Sequence, residues 1–219
     1  GLEGFKLAFA RDPAEVAGWS GRADGEIGLE QAAANVKPTI LIGTSATPGL
    51  FTEAVVRAVG AGCARPLVFP LSNPTSKCEC TPADALRWTE GRALVATGSP
   101  FDPVELDGRT HRTGQCNNSF IFPGVGLGVW VSRARRVTDG MFLEAARALA
   151  HAIEPSDLEA GSLYPRLERI RDLSHAVACA VVRRAVAEGH ADPHVTDGLE
   201  DRVRRAMWFP AYRPFVYRP

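Results

Sequence analysis

Asn73 is the residue whose type and place first suggest chemistry. It follows the apolar run Pro66-Leu67-Val68-Phe69-Pro70-Leu71 and Ser72. Its side chain offers two N–H donors and a carbonyl acceptor, which suit a carboxylate or a carboxamide. Asn-Pro is equally a common turn initiator, and the residue alone does not choose between the two. Gln115-Cys116-Asn117-Asn118-Ser119 is a denser cluster of amides, set just before Phe120-Ile121-Phe122-Pro123-Gly124. It could deliver donors into a cleft, and backbone N–H groups at a helix start favour anions. By itself such a cluster reads first as a hydrophilic loop. Other signals are weaker. Gly60-Ala61-Gly62-Cys63-Ala64-Arg65 has two of the three glycines of a dinucleotide fingerprint, but it follows a helical pattern and not a strand. Cys78 and Cys80 lack a second Cys/His pair and read as small residues closing a loop. The five histidines have no Ser or Cys at a readable spacing, so a histidine-based triad is unsupported.

The elements that must position these residues form a repeating pattern. Thr39-Ile40-Leu41-Ile42, ending at Gly43, is β-branched and apolar and reads as a strand buried on both faces. Thr44 to Gly49 is a turn of small residues. Phe51 to Val59 has helical spacing with Gly60 as its stop. The run 66–71 reads as a second strand, followed by the loop Ser72 to Thr75. Thr81 caps and Pro82 opens a helix ending near Gly91. Ala93 to Thr97 is a third strand, ending at Gly98-Ser99-Pro100. Strand, polar loop and helix in repetition predict a parallel α/β sheet, and ligands bind such sheets beyond the carboxyl ends of the strands. The loops 43–49, 72–75 and 98–100 stand there. Asp102 to Arg112 reads as an extended excursion turning at Asp107-Gly108. From Pro123 the chain is mostly helical. Gly124-Val125-Gly126-Leu127-Gly128 suits close helix packing better than phosphate binding. Thr138 caps a helix to about Ile153, another spans Arg166 to Glu188, and a short one spans Leu199 to Trp208. Met207 to Tyr212 reads as a surface strap. Gly28 to Val36 is a further helix in an otherwise irregular opening of about 35 residues.

The 219 residues are 45% hydrophobic, enough to bury a core. Lys plus Arg and Asp plus Glu both number 25, which argues against nucleic acid as main partner; the run at Arg133, Arg135 and Arg136 reads as a solvated helix face. No stretch is apolar for long enough to span a bilayer. Gly1 to Lys6 resembles no secretory leader. Five cysteines without framework spacing point to a reduced, cytoplasmic compartment.

At these same loops the chain resembles the malic enzyme family. The resemblance rests on Pro38 to Ser45 with Pro48 to Glu53, on Arg65-Pro66 through Leu71-Ser72-Asn73-Pro74-Thr75-Ser76, and on Glu90 to Ala93 with Ala96-Thr97-Gly98-Ser99-Pro100-Phe101. Gln115 with Asn117-Asn118, Phe122-Pro123-Gly124 with Gly126, Thr138-Asp139, Leu163-Tyr164-Pro165-Arg166-Leu167 and Met207-Trp208 with Pro210 and Tyr212 continue it. It covers nearly everything from residue 37 onward.

The resemblance implies an α/β fold: a partial Rossmann-type sheet, doubly wound and mainly parallel, with a helical C-terminal extension. Residues 1–150 would be the downstream part of an NAD(P)-binding domain and residues 151–219 the helical extension and tail. It implies oxidative decarboxylation of L-malate to pyruvate and CO2, with NAD or NADP accepting the hydride and Mn2+ or Mg2+ as Lewis acid. Asn73 and Asn117 would contact the malate carboxylate, with Asn73 also near the nicotinamide. Asn118 would bind the nicotinamide carboxamide, and Gly43, Thr44, Ser45 and Ser72 would line the cofactor pocket. The family's Tyr/Lys proton-transfer pair, its three metal carboxylates and its glycine-rich phosphate loop would precede these residues. The missing N-terminal portion would then be a partner, in a homo-oligomer. Cys116 departs from the Gly or Ala usual in the family. A sheet of this class is expected to place its first two strands between the runs at 39–42 and 67–71, leaving apolar edges. Malolactic enzyme, which releases lactate, and a non-catalytic nucleotide-binding module are the alternative readings.

Overall fold

The computed structural model describes residues 3–19, 26–212 and 215. Gly1 and Leu2, read above for a leader, and residues 20–25 of the irregular opening lie outside the described residues. In chain order the helices are α1 (Pro13–Val16), α2 (Leu29–Val36), α3 (Glu53–Gly62), α4 (Pro82–Trp88), α5 (Phe122–Ser132), α6 (Asp139–His151), α7 (Pro155–Glu159), α8 (Ile170–Ala187) and α9 (Leu199–Ala206). The strands are β1 (Ile40–Gly43), β2 (Leu67–Pro70), β3 (Leu94–Thr97), β4 (Val104–Leu106), β5 (Arg109–His111) and β6 (Gly114–Gln115).

The sheet order is β1-β2-β3-β6, with every pair parallel. β4 and β5 form a separate antiparallel hairpin, and its turn at Asp107 and Gly108 has φ of 51° and 74°, the left-handed pair that a two-residue hairpin loop needs. The α/β class, the parallel sheet and the three principal strands agree with the sequence. Two expectations are corrected. β1 pairs directly with β2, from Ile40 opposite Leu67 to Gly43 opposite Pro70, so no strands stand between them. β1 is also buried on one face only. Leu41 and Gly43 point inward, whereas Ile40 and Ile42 are 49% and 59% exposed. Apolar composition alone cannot separate a strand covered on both sides from one covered on one side.

The buried face carries the first core. Leu41, Val68 and Val95 of the strands pack with Val55, Val56 and Val59 of α3 and Ala85 and Leu86 of α4. Thr52 caps α3 by accepting from the Val55 amide at 3.4 Å, and Thr81 caps α4 by accepting from Asp84 at 3.1 Å. α3 runs past Gly60 to Gly62. Its end is closed by Arg92, whose guanidinium donates to the carbonyls of Gly60, Cys63 and Ala64, a cation where the helix dipole favours one.

The second core is helical. Phe120, Val125, Met141, Ala145, Leu173, Val177, Val181 and Ala185 join α5, α6 and α8, so a single apolar cluster includes residues on both sides of position 150. A Cβ on Gly124 would meet Val177 Cβ at 2.6 Å, and one on Gly128 would meet the Ala178 carbonyl oxygen at 2.8 Å. These glycines let α5 lie close on α8, as the sequence suggested. α6 stops at His151, two residues short of the expected end, and residues 167–169 form a 3-10 turn ahead of α8. α9 ends at Ala206, and Trp208 lies in the following strap, where its carbonyl accepts from Arg171 at 2.8 Å.

Candidate functional site

Four segments leave the parallel strands at their carboxyl ends, and hydrogen bonds join them in a row. After β1 come Thr44 and Ser45, both exposed; after β2, the buried Ser72 and the exposed Asn73; after β3, Gly98 and Ser99; after β6, Cys116, Asn117 and Asn118.

The first link is a residue that sequence reasoning passed over. Glu79 has no exposed surface. Its Oε1 accepts from the Ser45 amide at 2.8 Å, the Ser45 hydroxyl at 2.8 Å and the Ser72 hydroxyl at 2.5 Å. Its Oε2 lies 3.4 Å from the Ser72 amide. Burial alone would raise this carboxyl, but the hydrogen bonds from Ser72 and Ser45 outweigh it and hold the group below the usual carboxylate range. A charged group of this kind without an ion-pair partner keeps its charge inside a protein only when its lone pairs are used. The strand end makes room for it. A Cβ on Gly43 would meet Glu79 Cδ at 2.6 Å and Phe51 Cζ at 2.7 Å.

The clamp continues outward. With their protons directed at Glu79, the two hydroxyls accept from the loop: Ala46 N–H reaches Ser72 Oγ at 2.8 Å, and Thr47 N–H reaches Ser45 Oγ at 3.2 Å. Three successive amides, of Ser45, Ala46 and Thr47, are thus engaged. Ala46 is held at φ 53°, a left-handed conformation that costs a non-glycine residue about 1 kcal/mol or more.

The second link joins β2 to β3. The Ser99 hydroxyl donates to Asn73 Oδ1, and Thr97 Oγ1 donates to the Ser99 carbonyl at 2.8 Å. A Cβ on Gly98 would lie 2.2 Å from the Leu71 carbonyl oxygen and 2.9 Å from both Asn73 amide atoms. The Asn73-Pro74 peptide is cis. The third link joins β3 to the amide cluster. Gln115 Nε2 donates to the Gly98 carbonyl at 3.2 Å, and the Cys116 amide donates to the Thr97 carbonyl at 2.8 Å. Asn117 turns its Oδ1 to the Ser119 amide at 2.9 Å, capping the turn that starts at the exposed Asn118. It is therefore Gln115, not Asn117, that reaches the neighbouring loop.

Asn73 and Asn117 share one property. Each has its carbonyl oxygen engaged, by Ser99 and by Ser119, so each offers a ligand its NH2 group. Two NH2 donors suit a carboxylate, which only accepts.

Cys116 is accounted for by packing. The Tyr164 hydroxyl donates to Cys116 Sγ at 2.9 Å, and the Tyr164 ring stacks on Phe120 at 6.1 Å between centroids. Burial, then the thiol, push this phenol well above its ordinary range. The contact ties the amide cluster to the Leu163-Tyr164-Pro165 segment. A cleft of 570 Å3 opens beside it, lined by Pro100, Phe101, Gln115, Phe120 and Tyr164. A wider one of 1160 Å3, lined by Arg133, Arg135, His190 and Arg202, lies away from the strand ends. Among the described residues no group of three His, Cys, Asp or Glu side chains is placed to hold a metal ion, and no helix is long and apolar enough to cross a membrane.

Comparison with known proteins places this arrangement. The family model described as malic enzyme, NAD binding domain, matches residues 1–186. NAD-dependent malic enzymes of Shewanella pealeana and Shewanella baltica are 47% identical over 211 residues, 96% of this chain and 37% of theirs. The chain thus spans little more than a third of the length of these relatives. Among solved structures, the malic enzyme of Entamoeba histolytica superposes with a TM-score of 0.63 at 26% identity, over 84% of this chain and 35% of that one. The malic enzyme of Pyrococcus horikoshii gives 0.59 at 27% identity, over 82% and 37%. The match to the family model runs through every strand-end loop described above, and the chain belongs to the malic enzyme family, within its NAD-binding domain.

Proposed function

We propose that this chain supplies the cofactor and substrate contacts of an NAD-dependent malate dehydrogenase (decarboxylating), which converts L-malate to pyruvate and CO2. The observation that carries the substrate reading is the pair of amides whose oxygens are engaged, leaving the NH2 groups of Asn73 and Asn117 for a carboxylate. NAD is preferred to NADP because the Shewanella relatives are named for it. When bound, the dinucleotide supplies the hydride acceptor. The chain's own part is to bind and orient: the exposed Asn118 for the nicotinamide carboxamide, and Gly43, Thr44, Ser45 and Ser72 as the wall against which the cofactor lies. The donor set fits, because the loop residues are small and the exposed groups are neutral amides and hydroxyls.

The described residues do not fit a Mn2+ or Mg2+ centre. On this reading the metal ligands, and the acid and base that move protons, come from polypeptide outside these residues. That accords with the chain spanning 37% of its Shewanella relatives. Assembly with that portion, in a homo-oligomer, belongs to the same proposal.

The test uses the full-length protein. Titration calorimetry is expected to show NAD+ binding in preference to NADP+, and incubation with malate, Mn2+ and NAD+ to yield pyruvate with net reduced cofactor. Lactate without net reduction would turn the assignment to malolactic enzyme. Binding of NAD+ with no turnover of malate would leave a nucleotide-binding module. Asn73→Ala is expected to raise the KM for malate about tenfold or more, the range for a hydrogen bond to a charged group. An unchanged KM removes Asn73 from the substrate contacts.

A further inference from the structure

We propose that Glu79 is a positioning residue, which holds the loops after β1 and β2 in the geometry that receives the dinucleotide. The inference rests on the cofactor reading above and adds a residue to it. Glu79 has no surface to present to a ligand. It sits beneath the strand ends, fully buried, and acts through Ser45 and Ser72. One carboxylate oxygen takes three hydrogen bonds from residues 34 and 7 positions away in sequence, so it fixes two loops relative to each other. The clamp has a direction. Because both serine hydroxyls give their protons to Glu79, each must present lone pairs to the loop, and they take the amides of Ala46 and Thr47. The carboxylate is acceptor-only at both oxygens, so neither hydroxyl can receive a proton from it, and Oε2 is free to face the Ser72 amide as well. The consequence is visible at Ala46, which stays at φ 53° with its amide on Ser72.

This arrangement also sets what the β1 loop can bind. A phosphate cradle needs unengaged backbone N–H groups and a positive local field. Here the amides of residues 45–47 are engaged and the buried group beneath them is an anion. The loop therefore takes an uncharged part of the dinucleotide, and the pyrophosphate is bound elsewhere. No salt bridge to a basic side chain offsets Glu79 among the described residues.

The experiment is a set of NAD+ titrations on the full-length protein and three variants: Glu79→Gln, Ser45→Ala and the pair. Gln keeps the shape, but it cannot accept at both oxygens and places an NH2 group against the Ser72 amide. Glu79→Gln is expected to raise the Kd for NAD+ about tenfold, while kcat at saturating NAD+ stays within about twofold. General loss of packing would lower kcat and the active fraction together, and that result overturns the proposal. Because Glu79 acts through Ser45, the paired variant is expected to be about as weak as the worse single one, not the product of both. Multiplying effects overturn it too. Ser72→Ala tests the same clamp should Glu79→Gln fail to fold, and an unchanged Kd there is equally fatal. Wild-type protein that does not bind NAD+ sinks the cofactor reading, and this inference with it. Normal wild-type binding with unaltered variants sinks the clamp alone.

Discussion

At the residue scale, the glycines at the ends of β1 and β3, Gly43 and Gly98, are set by space and not by conformational freedom. Gly98 does not adopt a left-handed φ. Its lack of a Cβ is required because the Leu71 carbonyl lies 2.2 Å from where one would stand, with the Asn73 amide beside it. Neither neighbour can move cheaply: one is backbone, and the other is held by Ser99. Gly98→Ala is expected to cost about 1–3 kcal/mol, the range for forcing a methyl into a packed site, and to weaken malate and NAD+ binding together, because it displaces the β2 and β3 loops at once. Denaturant unfolding with titration of both ligands checks this. A variant of normal stability and affinity would mean that the loops have slack the packing does not show. The position of Ser72, Asn73 and the small loops at the strand ends was legible in the sequence because each follows an apolar run. Glu79 was not, since its partners Ser45 and Ser72 come from other loops and a glutamate in a polar stretch reads as surface. The usable signal was its neighbours: Cys78 and Cys80 are both buried, and burial pushes the Cys80 thiol up to about 12.

At the element scale, the sequence reading succeeded where a local cause decides the structure. Thr81 and Thr138 cap their helices as expected, with Thr138 accepting from Met141 at 3.2 Å. The Asp107-Gly108 turn forms as its residue types require. It failed where the cause is non-local. β6 is two residues long and exists only because β3 offers it an edge. The direct pairing of β1 with β2 likewise depends on strand order, which no local pattern encodes. The α5–α8 contact lies between these cases, since its glycine spacing was readable and its partner was not. Gly124 and Gly128 face Val177, Ala178 and Val181, whereas Gly126 faces open space with nothing within 4 Å. Gly124→Ala and Gly128→Ala are therefore each expected to destabilise by about 1–3 kcal/mol through overpacking. Gly126→Ala, on the exposed side of the same helix, is expected to stabilise by up to about 1 kcal/mol through helix propensity. Midpoints of chemical denaturation at fixed m-value would separate the three. Equal effects at all three positions would mean that helix propensity, not contact with α8, explains the glycines.

At the scale of the whole molecule, the described residues leave one side of the sheet open. β1 is the terminal strand, paired on one edge by β2 and by none of the described strands on the other. Its outer face carries Ile40 and Ile42, 49% and 59% exposed, and Val36 nearby in sequence is 60% exposed. An unpaired edge beside apolar side chains is a template for association. Burying one isoleucine fully is worth about 1.5–3 kcal/mol, so these two half-exposed residues favour association but supply only part of the about 8 kcal/mol that micromolar affinity needs, and the unpaired backbone edge must supply the rest. On the proposed reading this edge is where the remaining polypeptide of a malic enzyme docks. The 219-residue chain expressed by itself is then expected to self-associate in sedimentation velocity, with a weight-average mass that rises with concentration. Ile42→Lys is expected to shift it toward monomer, because a lysine at a sheet edge opposes pairing. The same substitution in the full-length protein is expected to be costly, because there the position would be covered. Monomeric, cooperatively unfolding behaviour of the 219-residue chain at all concentrations would show instead that the edge is tolerated in water, and would remove the main physical reason for placing further strands beside β1.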